Sequence, residues 1–121
     1  MTLQKLDYTL TVCKLPSAAD ADLGAGFFFL ERTDEEVSLV CETSAVPPNV
    51  TERDDGWRAL RIQGTLDFSL IGILSKLTAV LAENGIGIFA VSTFNTDYIL
   101  VKAETFGGAV RALAAAGYEI Q

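Results

Sequence analysis

The chain has 121 residues, half of them hydrophobic, with a net charge of −7 and a sequence pI of about 4.4. That length suits one compact domain or two very small fused modules, and the apolar content is enough for a real core. An acidic chain with no basic stripe repels a phosphate backbone, which argues against nucleic acid as a partner.

There is no histidine. The side chain best suited to proton transfer near neutral pH is therefore missing, along with Ser-His and Cys-His nucleophile pairs and imidazole metal sites. The expectation is a protein that is not an enzyme, with no cofactor and no metal. No apolar run approaches the ~20 residues that cross a bilayer. Met1-Thr2-Leu3-Gln4-Lys5 alternates polar and apolar residues, unlike a leader peptide. The expected setting is cytoplasmic, with no membrane partner. Cys13 and Cys41 lie in apolar, strand-like runs and read as two buried free thiols in a reducing compartment, with a disulfide or a reactive thiol as the alternative.

Leu6, Tyr8, Leu10 and Val12 alternate with polar residues, the pattern of a half-buried strand that Pro16 stops. Residues 17–23 have the composition for one or two helical turns. Phe27-Phe28-Phe29-Leu30-Glu31 and Val37-Ser38-Leu39-Val40-Cys41 read as a hairpin around Thr33-Asp34-Glu35. Residues 44–56, rich in Pro, Asn, Asp and Gly, read as a connection between modules.

Trp57 to Gln63 is the next strand. Leu70, Leu74, Leu77 and Leu81 then fall on one helical stripe, with Asp67 or Ser69 as a cap and Asn84-Gly85 as the stop. Ile86–Thr93 and Tyr98–Lys102 follow as strands around a tight turn. A second helix runs from about Thr105 to Ala116, with Phe106, Val110 and Leu113 on one face. Gly117 ends it before a terminal edge strand, Tyr118-Glu119-Ile120, whose open side invites pairing with another sheet. From Trp57 the order is strand, helix, strand, strand, helix, strand, a ferredoxin-like βαββαβ unit. The fold class is therefore α+β: two fused modules, 1–55 and 56–121, the first incomplete, with antiparallel sheets and helices on one face.

Two stretches carry candidate chemistry. Gly72 falls on the helix face opposite the leucines, where a glycine costs about 1 kcal/mol relative to alanine. It reads either as a packing glycine or as a point of close approach for a ligand, near free helix N–H groups that can hold a carboxylate. The turn Ser92-Thr93-Phe94-Asn95-Thr96-Asp97 gathers hydroxyls, an amide and a carboxylate beside an aromatic. Those residues are ordinary turn formers and are also able to hydrogen-bond an ammonium or a carboxylate. Asp54-Asp55 and Glu35-Glu36 read as solvated surface acids.

Three segments together are similar to the ACT domain family: Gly56-Trp57-Arg58-Ala59-Leu60-Arg61, Leu66-Asp67-Phe68-Ser69-Leu70-Ile71-Gly72-Ile73-Leu74, and the run from Ile88 to Val101. The run Ser92-Thr93-Phe94 followed by Thr96-Asp97-Tyr98-Ile99-Leu100-Val101 most resembles small stand-alone bacterial ACT proteins related to the ACT modules of the animal cytosolic arginine sensor. The hairpin from Thr33 to Cys41 fits that subfamily, which has a degenerate first module. The resemblance implies an amino-acid-binding regulatory or sensor domain. It places ligand contacts at Asp67, Phe68, Ser69, Gly72 and Ile73 and at Thr93, Phe94, Asn95, Thr96 and Asp97. Asp97 is expected to meet the ligand's cationic group, Asp67 an ammonium, Phe94 to form an apolar wall, and N–H groups near Gly72 to hold the carboxylate. Ile71 stands where many ACT domains have proline. With no attached enzyme or DNA-binding domain in the sequence, regulation would act through another chain, and a homodimer with sites at its interfaces is expected. A ligand-free protein interaction module is the alternative, and a carboxylate-based enzyme a further one.

Overall fold

The first strand, β1 (Thr2–Leu15), extends through the apolar alternation that opens the sequence and stops where Pro16 removes a backbone donor. The computed structural model describes residues 1–64 and 72–121. After β1 come β2 (Phe28–Arg32), β3 (Val37–Glu42), β4 (Glu52–Ile62), α1 (Ile73–Glu83), β5 (Phe89–Ser92), β6 (Asp97–Lys102), α2 (Ala103–Ala115) and β7 (Glu119–Ile120). Single 3₁₀ turns lie at Ala18–Asp20 and Thr43–Ala45. The chain forms two compact units, one of residues 8–57 and one of residues 1–7 with 58–121, so β1 and β4 each contribute to both.

The unit containing residues 58–121 has the expected α+β order of a ferredoxin-like fold, from β4 through α1, β5, β6 and α2 to β7. Leu60 and Ile62 of β4 and Ile99 and Val101 of β6 are buried at alternate positions, and they share one core with both helices. Leu77 and Leu81 enter it from α1, and Phe106, Ala109 and Leu113 from α2, each set at helical spacing. Both helices therefore cover one face of the strands. Strand order runs β1-β4-β6-β5, and β7 lies parallel to β1, with Thr2 opposite Glu119 and Leu3 opposite Ile120. The terminal strand thus takes the start of β1 as its neighbour.

The unit of residues 8–57 orders its strands β2-β3-β1 with antiparallel pairing, Cys13 opposite Leu39 and Phe28 opposite Cys41. One core cluster of this unit is Cys13, Leu15, Leu39 and Cys41, with Phe28, Leu30, Val37, Ala21, Val46 and Val50 packed against them, and Leu10 and Val40 are fully buried as well. Its helical content among the described residues is the two 3₁₀ turns. Tyr8 and Phe27 stack with ring centroids 4.4 Å apart.

Several boundaries differ from the sequence expectation, each for a physical reason. The strand β4 starts at Glu52 rather than Trp57. Its acidic, glycine-containing start looks like a turn by composition. However, the Thr51 N–H reaches the Lys14 carbonyl at 3.0 Å and Asp55 accepts from Thr11 Oγ1 at 2.7 Å, so partners in β1 hold it extended. The strand β5 starts at Phe89 rather than Ile86. Gly85 takes a left-handed φ of 71°, and the Ile86 N–H turns back to the Leu81 carbonyl at 3.0 Å, which is the Schellman closure of α1. Ile86 serves that closure and packs against the core. The end of α2 repeats the pattern: the Tyr118 N–H returns to Leu113 at 3.1 Å, so β7 is only Glu119–Ile120. Gly72 is not inside the helix. It is the residue before it, with φ 81°.

The two hairpins share one plan sixty residues apart. Leu30 faces Leu39 as Ala90 faces Ile99, and Arg32 faces Val37 as Ser92 faces Asp97. Each four-residue turn opens on a threonine whose N–H bonds the fourth residue's carbonyl at 2.9 Å, Thr33 to Glu36 and Thr93 to Thr96. Among the described residues no helix is long and apolar enough to cross a membrane.

Candidate functional site

The turn between β5 and β6 brings five of the ten expected site residues together. Thr93 builds it: its hydroxyl donates to the Thr96 carbonyl at 3.0 Å and accepts the Thr96 N–H at 3.4 Å. The same residue type does the same work at Thr33, whose oxygen accepts from the Glu35 and Glu36 N–H groups. Thr93 therefore has a full structural account as a turn former. Thr96 is only 6 % exposed, and its hydroxyl donates to the Ile62 carbonyl at 2.7 Å. It fastens the turn to the end of β4, from which the chain enters residues 65–71.

What distinguishes this turn from its counterpart is chemistry, not backbone. Ser92, Phe94, Asn95 and Asp97 stand where the first hairpin has Arg32, Asp34, Glu35 and Val37. Ser92 Oγ donates to Asp97 Oδ1 at 2.6 Å across the strand pair, which holds the half-exposed carboxylate beside the turn. Ser92 was absent from the expected contacts; the signal for it is its direct cross-strand position opposite Asp97. Phe94 is 78 % exposed at the tip, and Asn95 is exposed beside it.

Gly72 and Ile73 lie at the start of α1. A Cβ built on Gly72 meets nothing within 4 Å, so the glycine answers to its positive φ and not to crowding by the described residues. Its carbonyl accepts the Lys76 N–H at 2.9 Å, the first bond of the helix, and no side chain caps that end among the described residues. The first N–H groups of an uncapped helix suit an anion such as a carboxylate. Asp67, Phe68 and Ser69 lie outside the described residues.

No group of acidic and cysteine side chains suited to a metal ion occurs among the described residues. Asp55 accepts from Thr11 and makes an ion pair with Arg53 at 3.0 Å, which ties this acid to its own strand neighbours. Burial pushes the Cys41 thiol up to about 11 and raises Cys13 as well. Buried thiols raised in this way are inert at neutral pH. Arg58 lies over the Phe106 ring at 4.3 Å and donates to the Leu6 carbonyl, so this cation serves packing.

The order β4-α1-β5-β6-α2-β7, with both helices and the strands sharing one core, is the build of a ferredoxin-like domain. The ACT domain family model matches residues 52–115, and the chain belongs to that family of small-molecule-binding regulatory domains. The structure is similar to that of protein Atu0741 from Agobacterium tumefaciens, with a TM-score of 0.87 and 36 % identity over 99 % of this chain and 91 % of that one. It is similar in fold to aspartate kinase from Clostridium acetobutylicum, with a TM-score of 0.68 and 17 % identity over 94 % of this chain and 33 % of the enzyme. It is likewise similar in fold to the ligand-free regulatory subunit of aspartate kinase from Thermus thermophilus, with a TM-score of 0.63 and 12 % identity over 97 % of this chain and 98 % of that one. No curated protein sequence matches the chain.

Proposed function

We propose that this protein is a non-catalytic amino-acid sensor of the cytoplasm that acts through a second chain. The observation that carries the reading is the Ser92–Asp97 pair, which presents a carboxylate at a turn whose counterpart in the first hairpin has none at that position. Asp97 takes the ligand's cationic group, Asn95 adds a polar contact and Phe94 an apolar wall. Asp67, Phe68, Ser69, Gly72 and Ile73 complete the site, with the helix N–H groups on the ligand carboxylate. The resemblance to the ACT modules of the animal arginine sensor makes arginine the first ligand to try, with 1–55 as a degenerate companion module. The working assembly is a homodimer in which ligand favours one arrangement over another.

A thermal-shift screen against the proteinogenic amino acids tests this. Ligand at about 100 times its dissociation constant adds roughly 2.7 kcal/mol, which for a domain of this size raises the midpoint on the order of 10 °C. A selective rise that disappears in Asp97→Ala is the expected result. A set of twenty null responses leaves a ligand-free interaction module as the better reading.

A further inference from the structure

We propose that Asn84-Gly85 is a self-modification site, a deamidation point that the fold keeps closed and that reacts when the end of α1 opens. The inference does not depend on the ligand. Among the asparagines, Asn49 precedes Val50 and Asn95 precedes Thr96, whose β-branched side chains crowd the amide nitrogen that an asparagine would have to join. Asn84 alone precedes glycine, which has no Cβ to shield its nitrogen. Both Asn84 and Gly85 are exposed, so water reaches them.

The reaction uses this chain and water only. The Gly85 amide nitrogen gives its proton to solvent and attacks Asn84 Cγ. The Cγ–Nδ2 bond breaks, ammonia leaves and a cyclic imide remains. Water then opens the imide at either carbonyl. One product is an ordinary aspartate. In the other, isoaspartate, the main chain runs through Cβ and Cγ and is longer by a methylene.

In the folded protein two hydrogen bonds stand against ring closure. Asn84 Nδ2 donates to the Val80 carbonyl at 2.8 Å, and the Gly85 N–H donates to the Ala82 carbonyl at 3.0 Å. The attacking nitrogen and the leaving amide are thus both tied back to α1, beside the Ile86 N–H that closes the helix on Leu81. Ile86 anchors that closure by packing against the core that α1 and α2 share. Deamidation undoes the arrangement. A carboxylate has no N–H for Val80, and it puts negative charge at a helix C-terminus, where it is unfavourable. The longer main chain of isoaspartate also shifts Ile86 off its closure with Leu81. The modification therefore records an opening of α1 and keeps the helix end from closing again.

Peptide mapping by mass spectrometry tests this on the full chain, incubated in mildly alkaline buffer with and without urea. In urea, Asn84 should convert faster than Asn49 and Asn95. In buffer its conversion should be at least about tenfold slower, the factor set by an opening cost of about 1.4 kcal/mol. Ile86→Ala, shown by circular dichroism to be folded, should speed conversion in buffer and leave the rate in urea unchanged. Protein converted in urea and returned to buffer should unfold at a lower urea midpoint than fresh protein, while Asn84→Gln carried through the same treatment shows no drop. Conversion of Asn84 no faster than that of Asn49 and Asn95 in urea overturns the site. Equal rates in buffer and urea, or an Ile86→Ala rate in buffer equal to wild type, overturn the protection by the helix closure. An unchanged midpoint after conversion overturns its consequence for α1.

Discussion

Asp97 and Thr96 are neighbours with different work. Thr96 sends its hydroxyl inward to Ile62, and the side chain is buried. Thr96→Val keeps the shape but leaves that carbonyl without its donor, at a cost of about 1–3 kcal/mol. Urea unfolding should show that loss, and because the turn is then unfastened from β4, ligand binding should weaken too. The two thiols give a pH signature of known sign. Cys41 keeps its proton in the folded protein up to about 11, against an ordinary value of 9.0. The folded-state value is raised, so the contribution to stability is complete below pH 9 and falls as pH rises from 9 toward 11. The midpoint of thermal unfolding should drop over that window, and the drop should shrink in Cys41→Ala. The sequence marked Thr93 and Thr96 as candidate contacts because their type is right. It had no way to show that Thr96 faces Ile62, a residue thirty-four positions away.

Among the elements, the two helix ends explain the late starts of β5 and β7. Gly85 and Gly117 are legible as helix stops, and they do stop helices. What apolar patterning misses is that the residue after each belongs to the closure: Ile86 and Tyr118 look like strand residues and instead bend back to cover the helix end. Gly85→Ala should lose about 1–2 kcal/mol from its left-handed φ alone, since a Cβ there meets nothing within 4 Å. Gly87→Ala, also uncrowded but without the positive φ, should be neutral or slightly stabilising. Urea midpoints of the two variants compare them directly. The hairpin repeat was harder to read. Between Phe28–Thr43 and the run sixty residues on, only Phe29 with Phe89 and Thr33 with Thr93 are identical, so the shared plan appears in the strand register and not in the residues.

For the whole molecule, the α+β class and the βαββαβ order were legible, because long amphipathic helices and β-rich runs carry strong periodic signals. The sharing of β1 and β4 between the two units was not, because alternation along a strand says which face is buried and not which strands lie beside it. The family follows from residues 52–115, and the ligand does not follow from the family alone. The ligand proposed for the β5–β6 turn is a cationic or ammonium-bearing molecule, held by carboxylate and amide groups. The most direct measurement of that claim is amide chemical-shift mapping of the ¹⁵N-labelled protein, titrated with arginine and then with the remaining amino acids. The account predicts saturable shifts for one ligand, concentrated at Ser92–Asp97 and Gly72–Leu74. Saturable shifts centred on other residues, or none with any amino acid, would contradict it.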